Sequence, residues 1–199
     1  RPNYPAPIAE LLGDSIALTA MLAAQQKDAG RITLQVQGSG PVKLLVADCT
    51  ADLKIRGMAQ YEGAQAALGN GRLALTFENL ATGQIYQSLV PLEGASMAEI
   101  FENYLQRSEQ RTSFLSLYAS ERAASGLLLE KLPGADARDP DGWNRVVHLA
   151  RTLTLGESVN AQPYDLLVKL FPEELLRVVT EVREMRARLE NGRSFLRFV

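Results

Sequence analysis

The sequence predicts an α+β fold rich in antiparallel strands, and three observations predict it. An Ala- and Leu-rich segment near the N-terminus has apolar residues on more than one side. Short segments in which apolar and polar residues alternate follow it, separated by connections rich in Gly and Asn. The last third of the chain returns to helical spacing. Strands followed by a helical region indicate α+β rather than a parallel βαβ arrangement.

The first predicted helix runs from Ile8 to Lys27. Pro7 suits its first turn, where a missing backbone N–H has no consequence. One face is apolar at helical spacing, and the other face is also small and apolar, with Ala9, Ala17 and Leu18 on it. A helix of this composition is covered on more than one side, so we expect an inner helix.

An antiparallel meander of hairpins is predicted next. The segment from residue 31 to 37 alternates strictly, as a strand with one buried face does. Its neighbours are joined by connections such as Gly69-Asn70-Gly71, whose residues tolerate positive φ. The five predicted strands are Arg31–Gln37, Val42–Asp48, Arg56–Tyr61, Arg72–Glu78 and Gln84–Pro91.

The second half of the chain mixes helices and strands. Ser96 and Glu99 form a predicted capping box that begins a helix reaching about Gln110. Trp143 stands at the start of a later helix and is expected to anchor the core. The remaining predicted strands are Thr112–Ser120 and Ala124–Lys131, and the remaining helices are Trp143–Leu153, Pro163–Phe171 and the highly charged Leu175–Leu189.

Composition excludes several classes of protein. The 199 residues are 46% hydrophobic and 22% charged, as expected for one soluble globular domain. A net charge of -2 gives no overall attraction to nucleic acid or anionic membrane. No apolar run approaches the roughly 20 residues needed to span a bilayer, so no membrane span is expected. The start lacks both a signal peptide and Met, which indicates a piece of a longer protein.

Residue chemistry alone indicates no catalytic or metal site. The turn Gly38–Pro41 has the glycines of a phosphate loop, but a strand rather than a helix follows it, which favours a hairpin turn. Cys49 and His148 could act as nucleophile and base, yet no third group activates them, and packing roles are expected for both. Two such residues cannot close a tetrahedral zinc site. The single cysteine also excludes an intrachain disulfide and indicates a reducing cytoplasm.

The last predicted helix allows two interpretations. Its alternating charges are typical of a solvated helix with salt bridges rather than of a nucleic-acid surface. Its apolar stripe must also dock on something: its own domain, another subunit or a bound protein. The stripe consists of Leu175, Leu176, Val178, Val179, Val182 and Met185.

Several separated motifs closely resemble the substrate-binding domain of the Hsp33 family, the redox-regulated bacterial holdase chaperones. They occur in the family's order and spacing along most of the chain. The motifs are YPAPIAELLG at Tyr4–Gly13, GRITLQVQGSGPVKLLVADC at Gly30–Cys49, RGMAQYEG at Arg56–Gly63, YQSLVPLEG at Tyr86–Gly94, IFENYLQRSEQ at Ile100–Gln110, GLLLEKLPG at Gly126–Gly134 and LVKLFPEELLRV at Leu167–Val178.

The resemblance implies sheets that wrap central helices, with a substrate-binding core over residues 1–160 and a helical linker over 161–199. Family members continue into a zinc-binding domain with four cysteines, written CxC…CxxC, which is absent from this chain. In the family, oxidation of those cysteines releases zinc, unfolds the switch and linker, and uncovers apolar surface for unfolding proteins without ATP. Active members are homodimers. Zinc is therefore expected only in the missing domain, and no cofactor is expected in this chain.

The part of the match next to the linker supplies the candidate contact residues. Family resemblance transfers no catalytic residue. Unfolded or partly unfolded proteins are the expected partners, with an enzyme or small-ligand site at Gly38–Pro41 and Cys49, or a structural dimerisation module, as the alternatives. The residues expected to contact client or linker are Leu166, Leu167, Leu170, Phe171, Leu175, Leu176, Val178 and Val179.

Overall fold

The computed structural model describes residues 4–26, 30–120 and 123–174, and the backbone of 188–189, 192–193 and 195–198. The helices in these ranges are α1 (Ala6–Ala24), α2 (Met97–Ser108), α3 (Ala135–Arg138), α4 (Gly142–Ala150), α5 (Leu155–Asn160) and α6 (Pro163–Leu170). The strands are β1 (Gly30–Gly38), β2 (Val42–Thr50), β3 (Ile55–Tyr61), β4 (Gly71–Asn79), β5 (Ile85–Pro91), β6 (Ser113–Ala119), β7 (Ala123–Glu130), β8 (Arg188–Leu189), β9 (Gly192–Arg193) and β10 (Phe195–Phe198).

The first five strands form one antiparallel sheet in the order β3-β2-β1-β4-β5. The predicted strands are confirmed, but the simple meander is wrong, because β4 crosses back to pair with β1 instead of β3. This pairing sets Leu34 of β1 between Ala47 and Leu75 in the middle of the sheet. Both partners are buried, so the crossover concentrates apolar side chains at the centre.

A second, smaller sheet contains β6 and β7 as an antiparallel pair, with β10 parallel to β7. The last predicted helix, Leu175–Leu189, lies mostly outside the described residues. Its final two residues form the short strand β8, so the predicted helix is wrong at that end. The short helices α3 and α5 have no counterpart in the predicted elements.

Helix α1 lies between the two sheets and confirms the predicted inner helix. It contacts β1, β2 and β3 on one side and β6 and β7 on the other. Its buried residues therefore occur around most of its circumference: Ile8, Leu12, Ser15, Ala17, Leu18, Thr19, Ala20, Met21 and Ala23. The sheets thus wrap a central helix, as the α+β prediction requires.

The same helix corrects one expectation drawn from composition. Its 19 residues, with a mean hydropathy of 1.4, are long and apolar enough to cross a membrane by length and composition. The core helix of a folded domain passes the same test when it is buried on several sides. The helix also ends at Ala24, three residues before the predicted end.

The predicted cap of α2 is present. Ser96 lies in an extended conformation and its Oγ accepts a hydrogen bond from the Glu99 backbone N–H at 3.2 Å. The Glu99 carboxylate accepts a hydrogen bond from the Ala95 N–H rather than from the Ser96 N–H of a standard capping box. Phe101 and Tyr104 of the capped helix lie in the main core.

We expect Gly13→Ala to destabilise the protein by about 1–3 kcal/mol. A Cβ at Gly13 would lie 2.6 Å from the Cβ of Ala119, so α1 would have to move away from β6. Gly156→Ala is the matched control, because Gly156 is exposed in α5 and no atom lies within 4 Å of its added Cβ. Helix propensity should make that control more stable by roughly 0.5–1 kcal/mol. The urea concentrations at the midpoint of unfolding measure both changes in stability. An unchanged midpoint for Gly13→Ala would contradict the close packing of α1 against β6.

Asp14→Asn should raise stability at pH 7 by ~1–3 kcal/mol. Burial, followed by the charge of Glu10, raises the pKa of Asp14 from 3.8 to about 6 in the folded protein. The folded state therefore binds the proton of the Asp14 carboxyl more tightly than the unfolded state does. The stabilisation that this proton gives is complete below pH 3.8 and is lost as the pH rises through 6. The difference in unfolding free energy between the Asp14→Asn variant and the wild type should accordingly vanish below about pH 4. Urea unfolding from pH 4 to 7 tests this. Glu10→Gln should raise stability at pH 7 by less than Asp14→Asn does, because the charge of Glu10 is the smaller of the two causes of the raised pKa.

Candidate functional site

The sheet of β6 and β7 has apolar residues on both faces. Because side chains alternate along a strand, Leu115, Leu117 and Leu128 point to α1 and the main core. The opposite face belongs to a second apolar cluster. We call that opposite face the covered face; it consists of Phe114, Tyr118, Leu127 and Leu129.

Helices α4, α5 and α6 lie over the covered face, and we call residues 142–171 the helical cover. Leu166 and Leu170 of α6 and the following Phe171 are buried against the same cluster. Ala150 and Leu153, from α4 and the residues after it, complete it. The cluster thus contains residues from both sides of the boundary predicted at residue 160.

Polar contacts supplement this apolar packing. The Tyr118 hydroxyl donates to the Leu153 carbonyl at 2.7 Å, which joins the covered face to the cover. Ser125 of β7 and Ser158 of α5 share a hydrogen bond of 2.5 Å between their Oγ atoms, and both residues are buried. Each buried hydroxyl would lose its partner if the cover moved away, although water could then replace it.

One ion pair joins two helices of the cover, and a second joins the cover to Glu174. Lys169 Nζ of α6 lies 2.6 Å from Glu157 Oε1 of α5. Hydrogen bonds from Lys169 and then Thr154 lower the pKa of Glu157 to about 2. Arg145 of α4 contacts Glu174 at 2.7 Å, so the residue that precedes the undescribed segment from 175 to 187 is tied to α4.

The candidate contact residues fall into three groups. Leu166, Leu170 and Phe171 are 2%, 8% and 4% exposed, so they contact the core and would reach a client only if the cover lifted. Leu167 is half-buried beside them. The exposed apolar side chains of α6 are instead Tyr164 and Val168. The candidates Leu175, Leu176, Val178 and Val179 lie outside the described residues. The assignment of the whole set to client or linker contact stays a prediction.

The alternative ligand site at Gly38–Pro41 is filled by the protein itself. The Ser39 and Gly40 amides donate to the carbonyls of Asn70 and Leu68, each at 2.8 Å. A Cβ at Gly38 would lie 2.1 Å from the Leu68 carbonyl oxygen. The loop before β4 therefore fills the space that a phosphate would need and accepts hydrogen bonds from the amides that would bind it. The hairpin turn is confirmed.

Cys49 and His148 do not form a reactive pair. Cys49 is fully buried in the main core, where burial, followed by the charges of Asp48 and Asp52, raises its pKa to about 12. His148 is exposed on α4, so the packing role predicted for it is wrong while that of Cys49 is confirmed. Trp143 is half-buried, and it is not a member of either core cluster. Within the described residues, no three His, Cys, Asp or Glu side chains group as metal ligands.

The sequence analysis did not predict one exposed apolar surface, which lies on β5. Ile85, Tyr86 and Leu89 of β5 are 67%, 62% and 61% exposed on an edge strand. The segment IYQSLVP is predicted only as a strand, without regard to which of its side chains are exposed. The available signal was the lack of any charged residue from Gln84 to Leu92.

Comparison with known proteins gives a consistent result. The family model described as Hsp33 protein matches residues 1–190. The 33 kDa chaperonin of Methylobacillus flagellatus is 40% identical over 187 residues, covering 90% of this chain and 64% of that protein. The 33 kDa chaperonin of Pseudomonas fluorescens is 37% identical over 203 residues, covering 96% and 67%. The chain therefore spans about two thirds of the length of these relatives.

A solved structure shares the fold. The crystal structure of the 33 kDa chaperonin (heat shock protein 33 homolog) of Thermotoga maritima superposes with a TM-score of 0.66 at 20% sequence identity. The match covers 96% of this chain and 67% of that one. The α+β architecture is thus common to both proteins.

Leu166→Ala should loosen the helical cover. The removed side chain leaves a cavity against Leu127, which typically costs about 2–5 kcal/mol when the surroundings do not collapse. Val168→Ala in the same helix should cost less than ~0.5 kcal/mol, because Val168 is exposed. Hydrogen exchange of α6 and of β7 measures the difference. Equal exchange rates in the two variants would show that Leu166 does not hold the cover down.

Proposed function

Because the chain belongs to the Hsp33 family, we propose that it is the client-binding part of an ATP-independent holdase chaperone. The observation that carries the proposal is the covered face: an apolar sheet surface buried by helices whose own apolar residues could be exchanged for those of a client. Clients are unfolding proteins, held so that they do not aggregate. No step of chemistry on the client is required.

Binding energy would come from apolar burial. Each Å² removed from water contributes about 25 cal/mol, and the contribution does not depend on the direction of contact. Specificity for client sequence should therefore be low, and nucleotide should have no effect. To reach the covered face, a client must displace the helical cover, because Phe114, Leu127 and their neighbours already have apolar partners. Conditions that weaken the cover should therefore increase client binding.

Redox control would belong to the longer protein. The single cysteine of this chain is buried, and its raised pKa leaves little thiolate to react with an oxidant. The four cysteines and zinc expected in the family have no counterpart among the 199 residues. We therefore assign the switch to a separate zinc domain that would hold the cover in place, in a cytoplasmic protein that forms homodimers when active.

The alternative functions have less support. A small-ligand or enzyme site at Gly38–Pro41 would lack the backbone donors of Ser39 and Gly40, because these amides already donate to the Asn70 and Leu68 carbonyls. A structural dimerisation module would form oligomers without holding clients. Light scattering at several concentrations separates that function from client binding, since oligomers of a dimerisation module would form without any unfolding protein.

We predict that this chain suppresses aggregation of heat-unfolded citrate synthase equally with and without a thiol reductant, and equally with and without ATP. Turbidity at a stoichiometric excess of the chain measures the effect. Suppression seen only after oxidation would contradict the proposed location of the switch. Failure to suppress aggregation under any condition would refute the proposed function.

Two variants serve as controls for that experiment. Cys49→Ala and His148→Ala should each keep the full activity, because neither side chain belongs to the covered face or the cover's buried cluster. Loss of activity in a Cys49→Ala protein that unfolds at the wild-type urea midpoint would instead favour the enzyme or ligand-binding alternative.

A further inference from the structure

The two edges of the five-stranded sheet differ in their protection against strand addition. The β3 edge contains Arg56, whose Nη2 lies 2.7 Å from Asp48, and charged Lys54 and Glu62 flank the strand. Its pairing with β2 is also irregular between Val42 and Leu44. Charges and bulges of this kind prevent other chains from pairing with an exposed strand.

The β5 edge has none of these devices. No charged residue occurs between Gln84 and Leu92, and its pairing with β4 is regular over seven positions. In the part of the chain that the structure describes, no strand pairs with the other side of β5. Exposed Ile85 and Leu89 lie on the outer face of the sheet, and exposed Tyr86 points to the other face.

Two clefts border this strand. One, of about 470 Å³, is lined by Phe77, Ile85 and Tyr86, together with charged Arg31 and Glu78 and uncharged polar residues near them. The other, of about 250 Å³, is lined by Ala74 and Leu89 among glutamines and Arg72. Both clefts lie on the β4 side of β5, so they add apolar surface beside the strand, while an added strand would pair with its open side.

We propose that the β5 edge binds an extended, uncharged apolar segment of a non-native protein as a sixth strand. The proposal rests on the proposed function and names a second surface for the same class of partner, separate from the covered face. Main-chain hydrogen bonds would supply affinity without reading sequence, and Ile85, Tyr86 and Leu89 would select apolar neighbours. Because the edge is exposed, this surface needs no movement of the helical cover.

A second copy of the chain is the less suitable occupant. The strand has seven residues, whereas a stable interface uses roughly 20–30 residues a side. Pairing of two β5 strands alone would therefore not hold a dimer together. A client segment needs a smaller contact at β5, because the same client can also bind other apolar surface on the molecule.

The test compares Leu89→Lys with Met58→Lys. Both residues are exposed on the outer face, and they stand at opposite ends of one cross-strand row that runs Met58, Val46, Gln35, Ala74, Leu89. The probe is reduced and carboxymethylated α-lactalbumin, which stays unfolded and soluble. We expect Leu89→Lys to weaken probe binding at least tenfold, and Met58→Lys to change it less than twofold. Ile85→Lys is the second edge variant if Leu89→Lys does not fold.

Hydrogen exchange locates the contact. The probe should protect amides of Ile85–Pro91 and leave those of Ile55–Tyr61 unchanged. Equal binding by wild type, a folded edge variant and Met58→Lys overturns the edge proposal while the proposed function stands. Absence of probe binding and of aggregation suppression by wild type overturns both. Protection of β5 without the probe, in a sample that sediments as a dimer, overturns the client assignment in favour of a second copy.

Discussion

Helix α1 requires apolar cover on two sides, and the other elements are arranged to provide it. One sheet can cover only one side of a helix, so a second sheet must lie opposite. The small side chains of Ala17, Ala20 and Ala23 are almost completely buried, which shows how closely the surroundings approach the helix. Gly13 allows a close approach at Ala119 of β6. The position of the second sheet thus follows from the composition of α1.

That arrangement creates the candidate site. The second sheet is narrow, and its alternating side chains are apolar on both faces, so the face turned away from α1 still needs cover. The helical cover supplies it through Leu166, Leu170 and Phe171. Its ion pairs, such as Lys169–Glu157, lie at the surface, where such pairs contribute little. Apolar contact therefore dominates the attachment, which is also the kind of contact that an unfolding client offers.

The sequence predicts local structure here better than it predicts partners. Alternation, or a short apolar run bounded by turn residues, locates β1 to β7. The pairing of β4 with β1 depends on residues far apart in the chain, and no local pattern contains it. Helices α3 and α5, with four and six residues, are too short for a helical period to be recognised. The apolar face of α6 was likewise visible in the sequence, but whether its partner lies in the same chain was not.

The β5 edge shows the same limit. The sequence predicts a strand at Ile85–Pro91, but only the order of strands in the sheet reveals that one side of β5 is unpaired. An uncharged edge normally risks aggregation, so evolution usually protects it as the β3 edge is protected. Here the unprotected length is short, and it ends at Pro91, which has no N–H to donate to a neighbouring strand. A short edge bounded in this way can accept one segment of a non-native chain without providing a template for extended sheets. The proposed function requires unfolding chains to be held without joining their aggregates, and for that function the restriction would be an advantage.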